Sequence, residues 1–235
     1  MTTSRPDIQA LVFDLDDTLM DTFGTLIPEA HRQACLSMQK AGLDVPLEAL
    51  VKKRWELIEA HPRAEINALL AEYYGCHEKQ VIQAGIDTYF NPDFERLEPF
   101  PGVPEMLLNL ANDYTLFLLT SGIPAAQQRK VKALNLAPLF KDVLYAPLHQ
   151  EQAKLHALKS LCKDYDLKPE QLAVIGDRIT NEILAGNQLG CFTLWIQQGE
   201  CLGIVPETPE ETPDATTSTI LEVPKILAQL KDLHP

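Results

Sequence analysis

The residues with the clearest chemical content are the carboxylates near the start of the chain. The apolar run Ala10–Phe13 ends abruptly in Asp14-Leu15-Asp16-Asp17-Thr18-Leu19. A charge that leaves water must be paired or must bind a metal. In open α/β sheets, ligands bind in the crevice outside the carboxyl ends of the strands. A buried strand that ends in acids therefore predicts a metal-dependent or covalent-catalytic site at Asp14–Thr18. Taken alone, the D-x-D-x-T string also fits an exposed turn with a helix cap, because Asp and Thr are common caps.

Two later apolar runs end in the same manner. The strand predicted over Tyr114–Leu119 leads into Thr120-Ser121-Gly122, and Leu172–Ile175 leads into Gly176-Asp177. Parallel strands share their C-terminal side, so Asp14, Asp16, Thr120, Ser121 and Asp177 converge on one edge of one sheet. Lys154, on the helix before the Asp177 strand, could reach the same crevice. Carboxylates, a hydroxyl and an ammonium together suit an oxygen-loving divalent cation and a phosphoryl group.

The elements that must position these groups follow from periodicity and punctuation. From Phe100-Pro101-Gly102 onward the chain alternates. A helix over Pro104–Ala111 precedes the Tyr114–Leu119 strand, and Pro124 opens a helix to about Leu134. A short strand follows at Val143–Tyr145, then a helix from Glu151 to about Lys163. After the Leu172–Ile175 strand come a helix to Gly190 and a strand over Cys191–Ile196. This rhythm predicts an α/β fold with a Rossmann-like, doubly wound parallel sheet.

Residues 21–96 break the rhythm. Pro28 and Gly42 bound one helix. Leu47, Leu50, Val51, Trp55 and Ile58 fall at helical spacing in a second, with Trp55 expected in its core stripe. Pro62 opens a third, with the stripe Ile66, Leu69, Leu70 and Tyr73, and Gly75 stops it. Val81, Ile82, Ile86 and Tyr89 mark a fourth before Pro92. The expected organisation is a core of residues 1–20 and 97–235 with an all-helical insert of residues 21–96. Pro206–Asp214 reads as an acidic, Pro/Thr-rich surface loop, and Ile220–Leu233 as a strand or turn followed by a closing helix.

Composition narrows the partners. The net charge of −13 opposes docking on a nucleic-acid backbone. A small anionic substrate is still compatible, since a metal ion and a few cations invert the local field. No stretch approaches the roughly 20 apolar residues that span a bilayer, and no secretory signal is visible over Met1–Asp7. The five cysteines, Cys35, Cys76, Cys162, Cys191 and Cys201, form no C-x-x-C pair, which fits reduced thiols in a cytoplasm. No G-x-G-x-x-G or P-loop string occurs.

The four segments Asp14-Leu15-Asp16-Asp17-Thr18, Thr120 after Leu116–Leu119, Lys154, and Gly176-Asp177-Arg178-Ile179-Thr180-Asn181-Glu182 stand in the order of a known set. In these motifs the chain resembles the haloacid dehalogenase-like hydrolases, over about residues 8 to 200. The resemblance is to the subfamily with a helical cap inserted between the first and second motifs. It implies Asp14 as nucleophile, forming an aspartyl-phosphate, and Asp16 as the acid for the leaving group and then the base for water. It implies Mg²⁺ held by the Asp14 carboxylate, the Asp16 backbone carbonyl and Asp177. Glu182, where Asp is commoner, is a further metal candidate. Thr120 and the backbone N–H groups of Ser121 and Gly122 would bind phosphoryl oxygens, and Lys154 would offset charge there. Lys159 and Lys163 are rivals for that lysine, and Thr18 would fix the turn by hydrogen bonding.

Relatives that cleave carbon–halogen bonds lack the second aspartate, so Asp16 favours phosphate-ester chemistry. The expectation is a cytoplasmic phosphatase, monomeric or dimeric, acting on a small phosphorylated metabolite. It has no nucleic-acid polymer or membrane as partner. A sugar-phosphate mutase and a non-catalytic binding member are the alternatives. Substrate choice would lie in the cap, where Lys52, Lys53, Arg54, His61 and Arg63 could present cations or serve as ordinary surface charges. Cap closure would exclude bulk water.

Overall fold

A computed structural model of the protein describes residues 7–147 and 150–232. The residues through Pro6, and Leu233 at the expected end of the last helix, lie outside these. The chain divides into two compact units. One comprises the residues up to Phe23 together with those from Arg96 on, and the other is Gly24–Glu95.

The first unit opens with strand β1 (Ala10–Phe13). Its remaining strands are β2 (Thr115–Gly122), β3 (Asp142–Pro147), β4 (Leu172–Gly176), β5 (Phe192–Ile196) and β6 (Ala215–Thr217). All pair in parallel, in the order β3-β2-β1-β4-β5-β6. Every residue of β1 and β4 is buried, as expected for central strands of a parallel sheet with both faces covered. Ala10, Val12, Phe117, Leu119, Leu172 and Val174 share one core cluster with Leu155, Leu158 and Leu161. The alternation along each strand sends every second side chain to that face.

The helices fall into two groups. Gly24–Glu95 holds α1 (Ile27–Lys40), α2 (Leu47–Ile58), α3 (Ile66–Tyr73) and α4 (Lys79–Phe90), with no strand. The sheet unit holds α5 (Val103–Leu110), α6 (Pro124–Leu134), α7 (Ala153–Asp164), α8 (Leu184–Leu189) and α9 (Val223–Asp232). No helix among the described residues is long and apolar enough to cross a membrane.

Several local expectations need correction. Strand β2 runs on through Thr120, Ser121 and Gly122 because β3 pairs with it there, residue for residue, at Tyr145, Ala146 and Pro147. The chain after Asp177 enters its helix through a π-turn over Ile179–Ile183. Strand β6 was not expected; its three residues add an edge to β5. The acidic loop before it is tied down, because Asn187 donates to the carbonyls of Glu210 and Thr212.

In α2 the buried line passes through Leu50 and Arg54, so Trp55, expected in the core, is 36% exposed while Arg54 is 1% exposed. Tyr73 likewise falls off the α3 stripe, where Ile66, Asn67, Leu70 and Ala71 are the buried residues. In both helices a polar residue with a buried hydrogen-bond partner takes the inward position: Arg54 donates to His31 Nδ1 and to Asn67 Oδ1, each at 2.8 Å.

Candidate active site

The C-terminal ends of β1, β2 and β4 bring the predicted polar residues to one sheet edge. The Asp14 N–H donates to the Ile175 carbonyl at 2.9 Å, which carries the β1–β4 pairing one residue past the strand and fixes the Asp14 backbone. Its carboxylate receives the Lys154 ammonium at 2.5 Å. Lys154 also bonds Glu182, and all three side chains are buried. Lys159 and Lys163, the rival lysines, are exposed.

Glycine at position 176 makes room for this arrangement. A Cβ there would lie 2.5 Å from Glu182 Cγ, so a larger residue would push Glu182 away from the lysine. The Arg178 N–H holds the other Glu182 oxygen at 3.1 Å. Glu182 is thus engaged by a cation and a main-chain donor on its two oxygens.

Asp177 follows β4 and is buried. Trp195 Nε1 donates to its carbonyl at 2.8 Å and anchors its backbone. Thr18 Oγ reaches Asp177 Oδ1 at 3.4 Å, so this hydroxyl links two of the motifs rather than closing its own turn. Asp177 Oδ2 is buried with no hydrogen-bond partner among the described residues.

Asp14 and Glu182 share the buried Lys154 ammonium, and Asp177 is a third buried carboxylate close enough to feel both of their charges. The charge excess appears in the acidities of Asp14 and Asp177. Burial, opposed by Lys154, raises Asp14 to about 7. Burial and the neighbouring charges of Glu182 and Asp14 raise Asp177 to about 9. Burial disfavours the Lys154 ammonium, but Asp14 and Glu182 outweigh it, so its pKa is raised and it remains a cation.

This donor set fits a divalent cation in one respect and limits it in another. The orphaned Asp177 oxygen and the excess of buried negative charge call for a counter-charge. Among the described residues no group of three or more His, Cys, Asp or Glu side chains is arranged to hold a metal. A hard cation here would take carboxylates from Asp14 and Asp177 and complete its shell with main-chain carbonyl and water oxygens.

Asp16 has different partners. Its Oδ1 accepts from Thr22 Oγ at 2.6 Å and Lys130 Nζ at 2.7 Å, and its Oδ2 accepts from Gln127 Nε2 at 2.7 Å. Burial alone would raise its pKa, but the Lys130 charge and these hydrogen bonds outweigh burial and lower it. The Asp17 backbone takes a left-handed conformation (φ 56°), and its carboxylate caps the N–H groups of Thr22 and Phe23. Gln198 Nε2 holds the Asp17 carbonyl at 2.6 Å from the other side.

Thr120 is buried, and its Oγ accepts from Gln127 Nε2 at 2.7 Å. Ser121 and Gly122 follow it on the same strand and are half-buried. Gln127, Lys130, Trp195 and Gln198 were not anticipated from the sequence. In Pro124-Ala125-Ala126-Gln127-Gln128-Arg129-Lys130 two amides and two cations are adjacent, and helical phase alone does not say which of each pair turns to the sheet edge.

Comparison with known proteins gives the family and the fold. A family model described as a haloacid dehalogenase-like hydrolase matches residues 8–190. A glyceraldehyde 3-phosphate phosphatase of Methanopyrus kandleri is 28% identical over 215 residues, 88% of this chain and 91% of that protein. The human N-acylneuraminate-9-phosphatase is 24% identical, covering 95% of each chain. Among solved structures, a predicted phosphoglycolate phosphatase from Haemophilus somnus shares the fold with a TM-score of 0.68 at 19% identity, covering 94% of this chain and 98% of that one.

Proposed function

We propose that this chain, which belongs to the haloacid dehalogenase-like hydrolase family, is an Mg²⁺-dependent phosphatase that hydrolyses a small phosphorylated metabolite through phosphorylation of Asp14. The observation that carries the reading is the buried Asp14–Lys154–Glu182 cluster beside the unpartnered oxygen of Asp177. It combines a nucleophile held by a cation with a vacant carboxylate oxygen for a metal. The phosphatases among its relatives support the same reaction class.

In this mechanism an Asp14 carboxylate oxygen attacks phosphorus and the bond from phosphorus to the leaving oxygen breaks. Asp16, in its acid form, gives a proton to that oxygen and becomes the carboxylate that Lys130, Thr22 and Gln127 stabilise. Water then attacks phosphorus, Asp16 takes the water proton, and the bond to Asp14 breaks, restoring the Asp14 carboxylate and the Asp16 acid. Thr120 donates its hydroxyl hydrogen to a phosphoryl oxygen, and the Ser121 and Gly122 N–H groups line the same path. Lys154 offsets the charge that gathers between Asp14 and the transferring group. Asp14, Asp177 and the Asp16 carbonyl, with Glu182 nearby, would hold Mg²⁺, which would supply the charge neutralisation that lets an anionic nucleophile approach an anionic ester.

The helical unit Gly24–Glu95 is the cap of this reading and determines which ester is accepted. The five cysteines are unpaired, in keeping with a reducing cytoplasm. The test is phosphate release from para-nitrophenyl phosphate with Mg²⁺ and with chelator, for wild type and Asp14→Asn. Turnover that needs Mg²⁺ and vanishes in the variant supports the reading; turnover that survives either change refutes it. A panel containing glyceraldehyde 3-phosphate, N-acylneuraminate 9-phosphate and phosphoglycolate then ranks substrates.

A further inference from the structure

Helix α6 sends two side chains of one face to the same carboxylate. Gln127 and Lys130 are three residues apart, the spacing that aligns side chains on a helix, and together they occupy both oxygens of Asp16 at 2.7 Å. Gln127 does more. Its single Nε2 lies 2.7 Å from Asp16 Oδ2, Thr120 Oγ and the Ser121 carbonyl. An amide nitrogen has two hydrogens and can only donate, so the three acceptors share them. Because Thr120 Oγ accepts from Gln127, its own hydrogen is left to be donated elsewhere.

The backbone is shaped to admit this amide. Gly122 has φ +153°, and a Cβ there would lie 3.0–3.1 Å from the Gln127 side chain. Gln127 is buried, and the Lys130 side chain is only 12% exposed. Neither contact is a loose surface pairing.

We propose that Gln127 and Lys130 are positioning residues of the reaction: from one face of α6 they fix the Asp16 carboxylate and, through Gln127, turn the Thr120 hydroxyl into a hydrogen-bond donor. The proposal rests on Asp16 being the proton donor to the leaving group, as in the phosphatase reading. Lys130 acts on Asp16 alone. Gln127 acts on Asp16 and Thr120 together, coupling the first motif to the second.

The leaving group provides a readout that simple damage to the fold would not give. An aryl phosphate expels a stable phenolate and gains little from a proton, whereas an alkyl phosphate must be protonated as it leaves. The experiment measures kcat and KM of the full chain with Mg²⁺ on para-nitrophenyl phosphate and on the best alkyl ester of the metabolite panel. The variants are Lys130→Met, Lys130→Arg, Gln127→Met and Asp14→Asn.

Lys130→Met is expected to lower kcat on the alkyl ester about tenfold more than on the aryl ester, within the range general acid catalysis provides, and Lys130→Arg to restore most of it. Gln127→Met is expected to show the same split and also to raise KM for both esters. Equal losses on the two esters, or no loss, would overturn the proposal. Asp14→Asn separates the two levels. If it keeps activity, the phosphatase reading fails; if it loses activity on both esters while Lys130→Met shows no split, only the positioning role fails. Lys130→Met retains the buried stem, so it decides the matter even if Gln127→Met does not fold.

Discussion

Asp177 carries a buried carboxylate oxygen without a hydrogen-bond partner among the described residues, and that single atom leads to a prediction of opposite signs. Without metal, burial raises the Asp177 pKa to about 9, so ionisation of this carboxyl favours the unfolded chain at neutral pH; Asp177→Asn does not ionise and is expected to stabilise the protein by about 1 kcal/mol or more. With saturating Mg²⁺ the order reverses. Wild type gains about 2.7 kcal/mol at a hundredfold excess over Kd, and the variant gains little. Thermal unfolding of both proteins with Mg²⁺ and with chelator reads the two signs directly. Lys154 behaves differently, because Asp14 and Glu182 share its ammonium. Lys154→Met leaves buried carboxylates unpaired and should cost about 3 kcal/mol in urea unfolding, together with loss of turnover. That Asp14, Asp16, Thr120 and Asp177 gather at one sheet edge was legible in the sequence because strand ends and charge are local signals; the choice of Lys154 over Lys159 and Lys163 needed the helix phase that buries it against Asp14. Gln127 and Lys130 were not legible, since their role depends on the rotational phase of α6 against the sheet.

At the scale of elements, α2 shows how a polar network overrides hydropathy. The apolar spacing pointed to Trp55 as core, yet Arg54 is the buried residue and donates to His31 and Asn67. Arg54→Ala would strip two buried acceptors of their donor, costing roughly 1–3 kcal/mol for each. Trp55→Ala, which removes a half-exposed ring lying 4.7 Å from His31, should cost about 1 kcal/mol. Urea unfolding of the two variants checks the order. The same network gives a pH dependence. Arg54 Nε donates to His31 Nδ1, so the imidazole must be neutral, and burial with the Arg54 and Arg63 charges lowers its pKa from 6.5 to about 3. The unfolded chain then binds the extra proton. Stability should fall as pH drops below 6.5, by up to about 1.4 kcal/mol per pH unit. Comparing wild type with His31→Gln at about pH 7 and about pH 4.5, the variant should lose roughly 2 kcal/mol less. Among connecting segments, the acidic Pro/Thr loop was read as surface from its composition. Its attachment by Asn187 was invisible, because the partners are backbone carbonyls far along the chain.

For the whole molecule, the alternation of strands and helices was sufficient to predict a parallel α/β sheet, and β1 with its acids lies at the centre of that sheet. The order of the strands and the edge strand β6 were not legible. Three residues, Ala215-Thr216-Thr217, carry no periodicity of their own and become a strand only by pairing with β5. In the proposed reading, the sheet edge of the first unit carries the chemistry and the helical unit Gly24–Glu95 is the cap that selects the ester. The central claim is that phosphate passes through Asp14. Its most direct test is to mix the protein with Mg²⁺ and its best substrate, quench in acid within the first turnover, reduce with borohydride and sequence the peptides by mass spectrometry. The account predicts a reduced side chain at Asp14 and an unmodified Asp16. Phosphate release in the steady state with no trapped group at Asp14, or with the group on another residue, would contradict it.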